Sequence, residues 1–259
     1  MLTGLSLWLC YIDFCVFILG VSMKKSDLAW VFDTLGALYP DATTELHYST
    51  SFQLLIAVIM SAQATDKQVN KVTTGLFQHV RGPQDVLDMW YDVYEQAIQS
   101  IGLYRSKAKN IWKLSHLLVS DDYIQSMQSA LQDPLVSALY NEYGYIIPRR
   151  IQDLMLLPGA GEKTAKVVAH VLYDDAVIAV DTHVHRVCNR LGIVTTKQPL
   201  QTSKLLETVI PDMYKKIAHH CLILFGRYHC VARNPKCETC PVSKVCRYYK
   251  ILQGKKIKE

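Results

Sequence analysis

Four cysteines near the C-terminal end of the sequence have the spacing of a metal-binding site. Cys230, Cys237, Cys240 and Cys246 follow the pattern C-x6-C-x2-C-x5-C, with lysine and arginine residues between and around them. A two-residue gap lets neighbouring sulfurs approach one ion or one corner of a cluster. The spacing therefore predicts a bound metal centre, either an iron–sulfur cluster or a structural zinc ion, and does not select between them.

The remaining cysteines lie among apolar residues and are expected to be buried thiols: Cys10, Cys15, Cys188 and Cys221. Unpaired thiols and thiolate-bound metals need a reducing environment, which predicts an intracellular protein. The 259 residues carry a net charge of +5 with an isoelectric point of about 8.7. This mildly basic balance permits an anionic partner such as nucleic acid without establishing one.

Residues 1–22 differ from the rest because they are almost entirely apolar. They lack the basic start and small-residue cleavage site of a signal peptide. Two interpretations stay open. The segment is a membrane anchor, with Lys24 and Lys25 on the cytoplasmic side, or the natural start is Met23 and the segment is not translated. We favour a start at Met23.

From residue 23 onward, apolar residues recur at intervals of three and four, which predicts an all-α protein. The strongly apolar stretch 52–60 is expected to be a buried core helix. Amphipathic helices are predicted at 84–100, 106–119 and 202–218.

The segment 154–173 has the pattern of a helix-hairpin-helix. An apolar helix end meets Pro158, and a new helix is predicted from about Glu162. We expect Gly159 and Gly161 to supply positive φ angles in the turn between them. The amides of such a turn can bind a DNA phosphate without reading bases. The alternative is an ordinary corner between two helices.

Two residues near this hairpin could do chemistry. Lys163 lies in the first turn of the second helix, where an amine can act as a nucleophile or simply bind phosphate. Asp181 follows four apolar residues and is expected to cap a helix. His183 and His185 would lie on different faces of that helix, so we expect packing or phosphate contacts from them and no shared metal ion.

From about residue 23 to 250, the sequence resembles the endonuclease III family, bifunctional DNA glycosylases and abasic-site lyases of the helix-hairpin-helix superfamily. The motifs that carry the resemblance are Leu-Leu-Ile-Ala-Val at 54–58, Ser-Ala-Gln-Ala-Thr-Asp at 61–66, Ile-Gly-Leu-Tyr-Arg-Ser-Lys-Ala at 101–108, Leu-Pro-Gly-Ala-Gly-Glu-Lys-Thr-Ala at 157–165, Val-Asp-Thr-His-Val at 180–184, and the four cysteines.

The resemblance implies a role for each matching residue. Lys163 would attack C1′ of the damaged nucleotide, and Asp181 would assist base departure and proton transfer from the opposite wall of a cleft. Gln63 would fill the gap left by the flipped base, and Leu103 would wedge beside the estranged partner. The other implied DNA contacts come from the hairpin, the following helix and the cysteine loop: Gly159, Gly161, Lys166, His183, Arg233 and Lys236. The cysteines would hold a [4Fe-4S] cluster.

The implied fold has two helical domains flanking a DNA-binding cleft. Residues 44–175 would form a helical barrel that ends in the hairpin, and residues 23–43 with 176–259 would form the cluster domain. The implied substrate is duplex DNA with oxidised pyrimidines or abasic sites. The resemblance also implies a monomer without a small-molecule cofactor, located in the cytoplasm or nucleoid if the source is bacterial.

The sequence departs from the family at two places. Glu162 stands where the family usually has a basic residue, and 120–143 contains an insertion of about twenty residues. Two alternatives stay open. A mismatch adenine glycosylase shares the hairpin and the cluster but lacks a lysine at the position of Lys163. A cluster-bearing DNA-binding protein without catalysis would keep the hairpin alone.

Overall fold

A computed structural model describes residues 23–256, and within this range the chain is helical with no β-strand, which confirms the all-α prediction. In chain order the α-helices are α1 (Lys25–Leu38), α2 (Ser51–Ser61), α3 (Asp66–Leu76), α4 (Pro83–Asp88), α5 (Tyr91–Ala97), α6 (Tyr104–Leu118), α7 (Asp121–Ser126), α8 (Pro134–Tyr143), α9 (Ile151–Leu154), α10 (Glu162–Tyr173), α11 (Thr182–Leu191), α12 (Pro199–Val209), α13 (Asp212–Tyr228) and α14 (Arg247–Lys256). A short 3-10 helix at Gln128–Gln132 lies between α7 and α8.

The chain divides into two compact units. One unit is Thr44–Asp175, and the other consists of the described chain up to Thr43 together with the chain from Ala176. In the first unit, α2 is the central helix, and all of its residues from Ser51 to Met60 are buried. A capping box stabilises its start, because Thr50 accepts from the Gln53 amide and the Gln53 side chain accepts from the Thr50 amide. The hairpin helix α10 packs against α2.

In the second unit, α13 packs against α11 and α1. Its core is built from leucine, valine and aromatic side chains, including Phe32, Leu222 and Phe225. Gly226 lets α13 approach α11 closely, because a Cβ atom at this position would lie 2.9 Å from Cβ of His183. A larger residue at 226 would push the two helices apart.

Two of the predicted helices are each divided in the structure. The stretch 84–100 forms α4 and α5, because Met89 and Trp90 adopt extended backbone with ψ of 143° and 139°. The stretch 202–218 is split between α12 and α13 at Ile210 and Pro211. The proline ring disfavours helical backbone at the preceding residue, and Ile210 accordingly has a ψ of 122°.

The segment 120–143, in which the resemblance places an insertion, folds into α7, the 3-10 helix and α8. Residues 1–22, with their predicted anchor or untranslated origin, lie outside the described residues. Among residues 23–256, no helix has the length and apolar character needed to cross a membrane.

Candidate functional site

The turn between α9 and α10 depends on one glycine more than on the other. Gly159 has a φ of +86°, and a Cβ atom there would lie 3.1 Å from Cβ of Asn110 and 3.2 Å from Cγ2 of Ile59. Gly161 has a φ of −82° with extended backbone, and no atom of residues 23–256 lies within 4 Å of its would-be Cβ. The predicted positive φ is therefore confirmed at Gly159 and wrong at Gly161, whose position as the N-cap of α10 needs only extended backbone.

Lys163 is exposed in the first turn of α10. Among the described residues, no side chain caps the start of this helix, so its first amides are available as donors to an anion. Glu162 pairs with Lys166 over 3.1 Å between Oε1 and Nζ, and Lys166 is only 8% exposed. The acidic residue that departs from the family pattern thus has its charge balanced within the helix, and Lys166 is buried beside it.

Gln63 and Leu103 share an unusual backbone geometry. Both are exposed, and both have left-handed backbone, with φ of 58° and 59°. A Cβ atom at Gly102 would lie 3.5 Å from the Gln63 carbonyl oxygen, and Gln68 Nε2 donates to the carbonyl of Ser100. The two loops are therefore neighbours. Left-handed backbone at non-glycine residues is costly and concentrates at functional sites.

Lys107 is a residue of this region that the sequence reasoning missed. It is 5% exposed, and its Nζ donates to the carbonyl oxygens of Met60 at 2.8 Å and Ala62 at 2.6 Å. A signal existed in the sequence, because Lys107 lies four residues before Ile111 on the apolar stripe of α6.

Asp181 is the N-cap of α11, as predicted. Its Oδ1 accepts from the amides of His183 and Val184, both at 2.8 Å. The two histidines point to different neighbours, which confirms the prediction of different helix faces. His183 Nδ1 lies 3.2 Å from a guanidinium nitrogen of Arg186, whereas His185 Nδ1 lies 2.7 Å from Thr202 Oγ1 on α12.

The four cysteines of the C-terminal motif line one pocket. With its solvent-open mouth the pocket has an empty volume of about 320 Å³, and Phe225, His229 and Tyr248 also contribute to its walls. Within the described chain, no three His, Cys, Asp or Glu side chains converge closely enough for a single metal ion. A cluster in which each thiolate binds a different iron needs four sulfurs around one space, and the four cysteines line this one.

Two further properties of the pocket bear on metal binding. The Nε2 atom of His229 is buried and has no hydrogen-bond partner among the described residues. Burial raises the pKa of the Cys240 thiol to about 11, and burial together with the neighbouring cysteines raises those of Cys237 and Cys246. The thiols must therefore release protons when the metal binds.

Two arginines of α11 hold the cysteine loop, and the sequence reasoning did not single them out. Arg190 donates to Cys230 Sγ at 3.6 Å and to the carbonyls of Val231 at 2.7 Å and Ala232 at 2.8 Å. Arg186 donates to the carbonyls of Gly226 at 2.7 Å and Cys230 at 3.2 Å. Their spacing of four residues on one helix face is a signal in the sequence that could have found them.

Beyond the loop held by Arg190, the chain presents its basic residues outward. Arg233 and Lys236 are both exposed, and Asn234 between them has left-handed backbone with a φ of 52°. These side chains are accessible to an anionic partner.

Comparisons with known proteins agree with this geometry. Residues 56–212 match the family model of the HhH-GPD superfamily base excision DNA repair protein. Residues 230–246 match the iron–sulfur binding domain of endonuclease III, which decides between the two metal centres predicted for the cysteines.

The relatives cover nearly the same part of the chain. Endonuclease III of Bacillus subtilis is 42% identical to this chain over an alignment that covers 87% of this chain and 94% of the relative. Endonuclease III of Escherichia coli K12 is 37% identical, and the alignment covers 87% of this chain and 97% of the relative. A solved endonuclease III trapped as a covalent intermediate with DNA, in an estranged-adenine complex, superposes with a TM-score of 0.74 at 41% identity, covering 90% of this chain and all of that one. The chain therefore belongs to the endonuclease III family of base excision DNA repair enzymes, as a DNA glycosylase and abasic-site lyase that binds DNA and carries an iron–sulfur cluster.

Proposed function

We propose that this enzyme, acting as a monomer, removes oxidised pyrimidines from duplex DNA and cleaves the resulting abasic site by β-elimination through a Schiff base on Lys163. The observation that carries the proposal is the exposed amine of Lys163 in the first turn of the uncapped hairpin helix. A phosphate bound at the start of α10 would bring the sugar of a neighbouring nucleotide to this amine.

The chemistry of Lys163 accounts for both activities. Its unprotonated Nζ attacks C1′, and the bond from C1′ to the base nitrogen breaks as the base leaves with a proton. Ring opening then gives an imine between Nζ and C1′, which acidifies the proton on C2′. Loss of that proton breaks the bond between C3′ and its phosphate oxygen, and water later hydrolyses the imine.

Asp181 is the carboxylate that we assign to proton transfer in these steps. One of its oxygens, Oδ1, is occupied by the two amides at the start of α11. These bonds hold the carboxylate in one orientation, and the remaining oxygen is the one that we assign to the chemistry.

Flipping the damaged nucleotide out of the duplex is required because C1′ cannot be attacked within the stack, and it costs a few kcal/mol. Gln63 would fill the vacated space, and Leu103, whose side chain is 60% exposed, would wedge beside the partner base. Arg233, Lys236, His183 and the hairpin amides would contact phosphates, so that binding carries no sequence preference.

For the iron–sulfur centre we propose a [4Fe-4S] cluster with one thiolate from each of the four cysteines. When bound, such a group supplies a rigid covalent link between parts of the loop and takes no part in the reaction at C1′. Arg190 would stabilise the thiolate of Cys230, to which it already donates.

The proposal is tested with borohydride, which reduces the imine to a stable amine. Lys163→Gln should abolish trapping and strand cleavage on a duplex that carries one oxidised pyrimidine, because the nucleophile is gone, and should leave binding to an abasic-site analogue within about threefold. Lys71→Gln, which removes another exposed lysine of the same unit, is the matched control and should trap like the wild type.

Each failure has a distinct meaning. Trapping by Lys163→Gln at the wild-type level would show that another amine is the nucleophile. Binding without cleavage by the wild type on every lesion duplex would favour a DNA-binding protein without catalysis. Preferential release of adenine from a mismatch would favour the adenine glycosylase activity.

A further inference from the structure

We infer that Lys107 is a positioning residue that holds Gln63 and Leu103 in one arrangement, so that the two side chains can enter the duplex together. This inference rests on the duplex-entering roles proposed for Gln63 and Leu103. Lys107 itself has no contact with DNA in this view. Its action is exerted through the backbone of the two loops.

The side chain of Lys107 anchors the loop that carries Gln63. Helix α2 ends at Ser61 and has no basic residue in its last turn, so its final carbonyls lack a cationic partner from their own helix. The ammonium of Lys107 takes that position, with 2.8 Å to the Met60 oxygen and 2.6 Å to the Ala62 oxygen. A cation at the negative end of a helix dipole is stabilising, and here it fixes the residue that directly precedes Gln63.

The backbone of Lys107 anchors Leu103. The Lys107 amide donates to the Leu103 carbonyl at 3.1 Å, which is the first hydrogen bond of α6. Leu103 is the N-cap of this helix and has left-handed backbone, a conformation that leucine rarely adopts. A single residue therefore joins the entry to α6 with the exit from α2.

The burial of Lys107 shows that this role has a cost. Burial lowers the pKa of the Lys107 ammonium, because removing a charge from water is unfavourable. Both acceptors of Nζ are backbone carbonyls, and among the described residues no carboxylate pairs with the amine to offset that penalty. A leucine or methionine would fill the same space without the penalty of burying a charge. We attribute the presence of a lysine at this position to its two hydrogen bonds, which hold the strained loop that carries Gln63.

The test compares substrates that do and do not require duplex opening. Lys107→Met keeps an unbranched side chain, one atom shorter than lysine, and removes the charge and its donors. Under single-turnover conditions, it should cleave a lesion within a duplex about tenfold or more slowly, because the Gln63 loop is released. Borohydride trapping on a single-stranded abasic site, where no base is flipped, should stay within about twofold of the wild type. Lys107→Arg, which retains a cationic donor, should recover part of the loss.

A fluorescent base analogue opposite the lesion gives a second measurement that does not depend on chemistry. Its fluorescence should rise on binding wild-type enzyme and rise less with Lys107→Met. Lys109→Met is the matched control, since Lys109 lies two residues along α6 with an exposed side chain, and both assays should stay at the wild-type level.

A double-mutant cycle separates positioning from a general folding defect. In a Gln63→Ala, Leu103→Ala background, Lys107→Met should slow duplex cleavage by less than about twofold, since the side chains that it positions are absent. The inference would be overturned if Lys107→Met slowed duplex cleavage as much in that background as in the wild type. It would also be overturned if Lys107→Met reduced trapping on the single strand as much as it slows cleavage of the duplex. If Lys107→Met does not fold, Lys107→Gln is measured in the same cycle with the same expected outcomes. Absence of trapping on single strands by the wild type would instead contradict the proposed function.

Discussion

At the scale of single residues, replacing the two glycines of the hairpin turn by alanine should affect the stability of the protein very differently. Gly159→Ala should lower the free energy of unfolding by about 2 to 4 kcal/mol, because it adds the cost of left-handed backbone to a contact of 3.1 Å with Asn110. For a protein of this size, the melting temperature should fall by roughly 5 to 10 °C, measured by circular dichroism.

Gly161→Ala is the matched control in the same turn. Its backbone is extended and its would-be Cβ meets open space, so the free energy of unfolding should change by less than about 1 kcal/mol. Equal destabilisation by both variants would contradict the difference that the structure shows between the two positions.

At the scale of elements, Arg149 links the segment 120–143 to the end of the hairpin helix. Arg149 pairs with Asp133 at 3.0 Å and donates from Nε to Asp175 at 2.9 Å. Asp133 caps α8, and Asp175 follows the left-handed C-cap of α10. Burial acts to raise the pKa of Asp133, but the amides of α8 and Arg149 outweigh it, and the pKa is lowered overall.

This lowered pKa predicts an acid-sensitive contribution to stability. A carboxyl with a depressed pKa stabilises the fold above its unfolded pKa of about 3.9, and the contribution is lost as the pH falls through the folded value. Asp133→Asn keeps a good cap but loses the charge. Its melting temperature should be about 2 to 4 °C below that of the wild type at pH 7, consistent with a partly exposed ion pair.

The difference between the two proteins should shrink as the pH falls below about 3.9 and through the lowered pKa of folded Asp133, because the wild-type carboxyl then becomes protonated as well. Carboxyls remote from Arg149 contribute alike to both proteins, so the difference reports on Asp133 and on the Arg149 contact that it shares with Asp175. A gap in melting temperature that widens with acid would show that the sign of the effect is wrong.

At the scale of the whole molecule, the cysteine pocket gathers walls from segments far apart in sequence. Leu191 at the end of α11, Phe225 of α13 and Tyr248 of α14 surround it together with the four cysteines. A group bound there by all four thiolates stabilises only the folded chain, because the unfolded chain does not bring these segments together.

Loss of the cluster should therefore lower the melting temperature of the protein by about 10 °C or more. This is the effect expected for a ligand whose concentration is about a thousand times its dissociation constant. Cys240→Ser should show this loss and an iron content well below the roughly four atoms per chain of the wild type. Cys221→Ala, in which a buried thiol outside the pocket is removed, should retain its iron. One zinc per chain in the wild type would contradict the cluster.

Several features of this molecule could be predicted from the sequence because residues close together in the chain determine them. The spacing of the cysteines, the turn at Pro158 and Gly159, the cap formed by Asp181 and the helical periodicity each depend on residues a few positions apart. Local backbone preferences and short side-chain reach are set within such windows. The family resemblance added what no local pattern carries, namely the roles implied for Lys163, Gln63 and Leu103.

Only the tertiary structure decided two local backbone conformations and the contacts between residues far apart in sequence. The extended backbone of Gly161 follows from its position as a cap, and the break at Trp90 divides a helix that periodicity had left continuous. The burial of Lys107 against Met60 and Ala62, and the grip of Arg190 on the cysteine loop, join residues more than forty positions apart. Such contacts are set by how the helices pack. A polar side chain at the edge of an apolar stripe is buried only where a carbonyl from a distant part of the chain accepts its hydrogen bond.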